Sequence, residues 1–203
     1  MTRIKLCGLT RPEDIEAANS LKPDYIGFVF AEKSKRYISP EKAAELKKLL
    51  NPKIKAVGVF VNESINNVAE LLNAGVIDIA QLHGSEDNKY INTLKKLSGK
   101  PVIKAYQVKS DNDISKARNS IADYVLLDSG KGSGQRFNWE LIKSINRPYF
   151  LAGGLDTENI LSAVRSLSPF AVDVSSGIET NGVKDKEKMT VFVNAVRKED
   201  KNE

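Results

Sequence analysis

Cys7 and His83 are the only cysteine and histidine in this 203-residue sequence, which narrows the chemistry it can do. One histidine cannot supply a two-histidine metal centre within the chain, and none stands beside Cys7 in the sequence to activate it as a nucleophile. Proton transfer remains for the thiol, and Asp128 is the partner that the pattern offers. Each of the two ends a short β-rich run, RIKLC and YVLLD. Both residues also have plain readings, a buried cysteine as a small hydrophobe and a strand-end aspartate as a helix cap.

Two small-residue clusters offer different equipment. Gly153-Gly154 leaves backbone N–H groups open to close approach, and Ser175-Ser176-Gly177 adds hydroxyls. Together they read as a phosphate cradle near helix N-termini, although tight turns use the same residues. Glu32, Lys33, Lys35 and Arg36 follow the second β-rich run, while Gln81 and His83 close the fourth. His83 reads equally well as a hydrogen-bonded structural group. The glycine-rich run SGKGSGQRF (129–137) is not a P-loop, because Lys131 is followed by Gly132 instead of Ser or Thr. Its glycines fall at every second position, which also fails the dinucleotide fingerprint. It reads as a mobile active-site loop.

The elements that must position these groups alternate along the chain. Strand-like runs occupy 3–7, 25–30, 54–61, 77–83, 102–106, 124–128, 149–154 and 171–176. Most are continuously apolar, as parallel strands covered on both faces should be. Helical stretches separate them. Ser39-Pro40 is read as an N-cap and first-turn proline ahead of a stripe of Ala43, Ala44, Leu46, Leu49 and Leu50. Ser64 opens a segment with Ile65, Val68, Ala69 and Leu72 inward and Gly75 as its stop. Ser85 opens another, with Ile91, Leu94 and Leu97 inward before Gly99. Asp156 or Thr157 caps the one carrying Ile160, Leu161, Val164 and Leu167. Eight such units at even spacing favour a closed (βα)8 TIM barrel with short loops over an open doubly wound sheet. No Pro-, Gly- or Ser-rich linker divides them, so residues 1–203 are expected to form one domain, with 197–203 a frayed tail.

In such a barrel chemistry collects at the C-terminal ends of the strands, which is where Cys7 and Asp128 fall, across the mouth from one another. Composition adds exclusions. Hydrophobic (41%) and charged (28%) fractions are those of a soluble globular protein, and no apolar run approaches the roughly 20 residues of a membrane helix. The segment MTRIKLCGL lacks the apolar region of a signal peptide, and a lone cysteine fits a reducing cytoplasm. The net charge of +5 comes from lysines scattered over helices, without the basic face or module that nucleic-acid binding needs. It suits a small anionic substrate.

Several blocks together resemble the phosphoribosylanthranilate isomerase family of tryptophan biosynthesis. They are Lys5 to Thr10 (KLCGLT), Gly27 to Phe30 followed by Ser34-Lys35-Arg36-Tyr37-Ile38, Gln81 to Gly84, Leu127-Asp128-Ser129, Leu151 to Leu155 and Val172 to Glu179. They occur in the family's order and span nearly the whole chain. The resemblance implies an Amadori rearrangement of an aminoaldose to an aminoketose. Asp128 would be the general acid at the ribose ring oxygen and Cys7 the general base at C2'. Arg36 would contact the anthranilate, and Gly153, Gly154, Ser176 and Gly177 would hold the phosphate. His83 and Gln81 are further candidates. It implies no metal and no organic cofactor, and a monomer or homodimer. The family's Thr-Phe-Asp-Trp run stands here as Arg136-Phe137-Asn138-Trp139.

That chemistry needs a thiolate and a carboxylic acid. An ordinary thiol titrates near about 8.5 and an aspartate near about 3.9. Burial raises both, and each anion raises the other, so the pair is expected to titrate as a unit and give a bell-shaped pH dependence. Among rivals, the histidine-pathway isomerase uses aspartates at strands 1 and 5, where this chain has Cys7 and Tyr106-Gln107. A thiol redox sensor would need an exposed Cys7 and no Asp128, and a dead barrel would bind without turnover.

Overall fold

The computed structural model describes residues 1–128 and 139–199. Eight parallel strands close into a barrel in sequence order, β1 (Arg3–Cys7), β2 (Tyr25–Val29), β3 (Lys55–Phe60), β4 (Ile79–Leu82), β5 (Val102–Gln107), β6 (Tyr124–Asp128), β7 (Tyr149–Ala152) and β8 (Ala171–Val174). The ring shuts where β1 pairs with β8, Lys5 opposite Asp173. Helices α1 (Pro12–Leu21), α2 (Pro40–Leu49), α3 (Ile65–Asn73), α4 (Asn88–Ser98), α5 (Asp111–Arg118), α6 (Trp139–Lys143), α7 (Ile160–Leu167) and α8 (Lys186–Glu199) follow the strands in turn. The expected (βα)8 architecture is the one observed. A short hairpin, β9 (Glu179–Thr180) with β10 (Val183–Lys184), sits between β8 and α8.

Strand parity sorts the side chains. Ile4 and Leu6, Ile26 and Phe28, and Val172 and Val174 pack in the layer shared with the helices. The alternate positions, Tyr25, Val57, Ile79, Ile103, Leu126, Phe150 and Ala171, fill the lower barrel. One step higher, Cys7, Val29 and Val59 form a small apolar patch beneath the mouth. Because side chains alternate with period two, Lys5 shares the inward face with Cys7, and Asp173 shares it with Ser175.

Several helix signals hold. Ser39 and Ser64 accept N–H bonds from Lys42 and Asn67, and Gly75 and Gly99 take the left-handed conformation that stops α3 and α4. Others are corrected. The N-cap of α4 is Asp87, bonded to the Tyr90 N–H, while Ser85 instead bonds Asn62. Helix α7 begins at Ile160, and Asp156 caps the preceding turn by accepting the N–H groups of Glu158 and Asn159. Leu49 and Leu97 are exposed. Each i+3 step rotates about 60° off the stripe, so after Ala43–Leu46 and Ile91–Leu94 the next leucine faces water. Leu50, at i+7 from Ala43, is buried instead. Residues 197–199, expected in a frayed tail, form the last turn of α8, where Arg197 pairs with Asp24 and Glu199 with Arg165. No helix among the described residues is long and apolar enough to cross a membrane.

Candidate active site

The C-terminal ends of the strands enclose a cavity of about 450 Å³. Cys7, Arg36, Gln81, His83, Asp128, Gly153, Gly154 and Ser176 all line it, so the residues singled out from the sequence converge on one place. Gly177 is the exception. The 129–137 run, with Lys131 and Arg136, and Asn138 after it, lies outside the described residues.

Cys7 has its room made by a glycine. Its strand partner is Gly27, where a Cβ would stand 2.6 Å from the Cys7 Sγ. Gly8, at φ +81°, lets the Arg36 side chain cross directly over the backbone, since a Cβ there would meet Arg36 Cδ at 2.5 Å. The Ser175 hydroxyl donates to the Cys7 carbonyl at 3.1 Å. Burial pushes the Cys7 thiol up, against the pull of Lys5 and Lys184, with Asp173 adding to the rise.

Beneath the thiol lies a buried ion pair. The Lys5 ammonium donates to both oxygens of Asp173 at 2.9 Å, with Lys5 0% and Asp173 8% exposed. Burial alone would push the Lys5 ammonium down, but Asp173 and Cys7 reverse that and leave it above its ordinary value. Burial likewise raises the Asp173 carboxyl, with Lys5 opposing.

On the far side, His83 Nε2 lies 3.3 Å from Asp128 Oδ2, and Nδ1 lies 3.3 Å from the Gln81 amide nitrogen. A neutral ring that accepts that amide proton at Nδ1 would carry its own proton on Nε2, toward Asp128. Among the described residues, Gln81 Oε1 is buried without a hydrogen-bond partner.

The rim beside Cys7 is a second charged cluster. Arg36 forks onto Glu179, Nε at 2.6 Å and Nη2 at 2.7 Å. Lys184 donates to Glu179 and, at 2.9 Å, to the Ser175 carbonyl. Burial works to raise the Glu179 carboxyl, yet hydrogen bonds from Arg36 and Lys184 hold it below the usual carboxylate range. Burial pulls the Lys184 ammonium down, with Glu179 opposing. The Glu179 hydrogen bond raises Arg36. Lys184 reaches the site because the hairpin turns at Asn181-Gly182, both at positive φ, the two-residue turn that Asn-Gly favours.

Gly153 and Gly154 both adopt positive φ, 89° and 62°, which presents their backbone to the cavity beside Ser175 and Ser176. Gly177 does different work. A Cβ there would stand 2.0 Å from the Leu155 carbonyl oxygen, and Gly177 bridges to Asp156. Its missing side chain lets the loops after β7 and β8 lie against each other.

Lys5, Asp173, Glu179 and Lys184 were not singled out from the sequence as site residues. The signal was parity, since Lys5 stands two before Cys7 and Asp173 two before Ser175. The Asn-Gly turn marked the hairpin that brings Glu179 and Lys184 in.

A closed parallel barrel with a thiol, a carboxylate and a glycine-serine rim converging at its C-terminal mouth is built as a (βα)8-barrel enzyme of the isomerase type. The family described as N-(5'phosphoribosyl)anthranilate (PRA) isomerase matches residues 4–195, and the chain belongs to that family. It is 48% identical over 202 residues to the N-(5'-phosphoribosyl)anthranilate isomerase of Endomicrobium trichonymphae, covering 97% of this chain and 99% of that one. It is similar to the crystal structure of phosphoribosyl anthranilate isomerase from Thermotoga maritima, with TM-score 0.90, 38% identity, and coverage of 98% and 100%. A phosphoribosyl anthranilate isomerase in complex with reduced 1-(o-carboxyphenylamino)-1-deoxyribulose 5-phosphate gives TM-score 0.88 at 37% identity, with the same coverage.

Proposed function

We infer that this chain catalyses the Amadori rearrangement of N-(5'-phosphoribosyl)anthranilate to 1-(2-carboxyphenylamino)-1-deoxyribulose 5-phosphate in tryptophan biosynthesis. The observation that carries the reading is that Cys7 and Asp128 line one cavity with the Gly153-Gly154 and Ser175-Ser176 rim, in a chain of this family. Asp128, as the acid, protonates the ribose ring oxygen and opens the ring to an iminium. The iminium acidifies the C2' proton, which the Cys7 thiolate removes to give an enolamine that tautomerises to product. Arg36 faces the anthranilate carboxylate with the edge of its guanidinium left by Glu179. Backbone N–H groups at Gly153 and Gly154, with the Ser176 hydroxyl, take the phosphate, and Gly177 shapes that pocket by letting the two loops close. His83, hydrogen-bonded through Gln81, orients the Asp128 carboxyl. No metal or organic cofactor enters the scheme. A reducing cytoplasm suits a free catalytic thiol, and a monomer or homodimer would serve equally.

The test follows loss of substrate fluorescence with phosphoribosylanthranilate generated in situ, for wild type, Cys7→Ser and Asp128→Asn. Rapid loss with wild type and a drop on the order of a thousandfold in both variants is expected, the scale of general acid–base catalysis. A wild type that binds the reduced product analogue without turnover would leave the binding reading standing and remove the catalytic one.

A further inference from the structure

Resting on that reading, the mechanism needs Cys7 as a thiolate in a place where burial opposes it. Four charged groups face the thiol. Lys184 from β10 and Arg36 from the loop after β2 are rim groups that share the Glu179 carboxylate. Asp173 from β8 is an anion and works against ionisation. Lys5 differs from all of these. It comes from the same strand and face as Cys7, two residues earlier, and is fully buried below it. Across the mouth, Asp128 and His83 line the same cavity as Asp173 and complete the titratable surroundings.

Stability does not account for Lys5 well. A buried ion pair is often replaceable by apolar residues at no cost, and the surrounding barrel interior is apolar. Its geometry is more informative. An ammonium has three protons, and two point at the Asp173 oxygens, 2.9 Å each. The third is not taken by Asp173, and the next side chain on the same face of β1 is Cys7. Asp173, the register partner of Lys5 on β8, thus fixes the ammonium in the layer next to Cys7.

We propose that Lys5, locked by Asp173, is a positioning residue that holds a buried positive charge against Cys7 and keeps the thiol available as the base. Lys5 touches no substrate in this arrangement and acts only through Cys7.

The experiment uses the fact that Cys7 is the sole cysteine, so alkylation reports on it alone. The rate of iodoacetamide modification is measured against pH for wild type, for Lys5→Met, for Asp173→Asn, and for Lys5→Met/Asp173→Asn, the last keeping the fold free of an unpaired buried charge. Thermal melts establish that the proteins compared are folded. Because Asp173 itself opposes ionisation of the thiol, Asp173→Asn alone is the reference: relative to it, the thiolate midpoint is expected to move up by about one pH unit or more in the double variant, with kcat/KM for phosphoribosylanthranilate at pH 7 falling about tenfold. The fall should lie in kcat, with KM little changed. A folded double variant whose thiol titrates where that of Asp173→Asn does overturns the proposal. If wild type fails to turn over phosphoribosylanthranilate while the midpoint still moves, the proposed reaction falls and the electrostatic role of Lys5 stands.

Discussion

The two ends of the barrel hold cavities of similar size and different use. The mouth encloses about 450 Å³, and the N-terminal end about 500 Å³, lined among others by Arg3, Asp24, Tyr25, Lys55, Asp78 and Tyr124. Both are rich in charge. The contrast lies in what the carboxylates hold. At the N-terminal end, Asp24, Asp78 and Asp123 each accept the backbone N–H of an entering strand, from Ile4, Ala56 and Val102. Each also pairs with a cation, Arg197, Lys47 or Lys95. At the mouth, Asp173 and Glu179 engage Lys5, Arg36 and Lys184 around a single thiol. Volume and charge alone do not separate a reactive end from a structural one. The partners of the acids do, and they agree with the division of labour in barrels of this kind.

The largest effect that tests this contrast comes from neutralising one acid at each end. Asp128→Asn should lower kcat/KM on the order of a thousandfold while melting near wild type. Asp78→Asn should leave kcat/KM within about twofold and lower the melting temperature. If Asp78→Asn cost as much activity as Asp128→Asn, the division between the ends would be wrong.

A smaller loss is expected at Gly177. An added methyl would meet the Leu155 carbonyl oxygen at 2.0 Å, and backbone cannot swing aside as a flexible side chain would. Gly177→Ala should therefore push the β7 and β8 loops apart and raise KM by roughly tenfold, with destabilisation of about 1–3 kcal/mol. Steady-state kinetics and a denaturant titration check both numbers. An unchanged KM would mean that the phosphate-side rim does not depend on this close approach.

Gly177 also shows where reading the sequence stopped short. Its position in the Ser175-Ser176-Gly177 cluster drew it into the expected phosphate cradle, but it does not line the cavity, and a glycine is the same letter whether it opens a backbone N–H or makes room for a neighbour's carbonyl. The barrel itself was legible because its strands are continuous apolar runs, and Cys7, Arg36, His83 and Asp128 were legible because they sit at or just past strand ends. Lys5 and Asp173 were passed over because they lie inside those runs, where only the inward parity shared with Cys7 and Ser175 gives them away. Glu179 and Lys184 depend on a hairpin with strands of two residues each, too short for any periodicity. Helix starts at Ser85 and Asp87 could not be told apart by type, since both are good N-caps, and Asn62 decides by taking Ser85 for itself.

At the N-terminal end, removing an acid should cost stability alone. Asp78→Ala deprives the buried Ala56 N–H of its acceptor, a loss of about 1–3 kcal/mol, and kcat/KM should hold. Urea unfolding at neutral pH measures it, and a stability within about 0.3 kcal/mol of wild type would show that water replaces the carboxylate.

The smallest effect is carried by Tyr149, which opens β7 at the same end. Its hydroxyl donates to the Leu167 carbonyl at 2.7 Å, and burial pushes the phenol up to about 12. A phenol in the unfolded chain titrates near about 10, so the folded state holds its proton the more tightly. Below pH 10 both states are protonated and stability does not respond to this group. Between about 10 and 12 the unfolded chain loses the proton first, and stability falls as pH rises. Tyr149→Phe should then be less stable than wild type at pH 7 by about 1 kcal/mol, for the lost hydrogen bond, and should decline less steeply above pH 10, with unchanged kcat/KM at both pH values. If the two proteins instead decline in parallel, the phenol ionises as easily in the fold as outside it, and the N-terminal end admits more water than the burial of that ring implies.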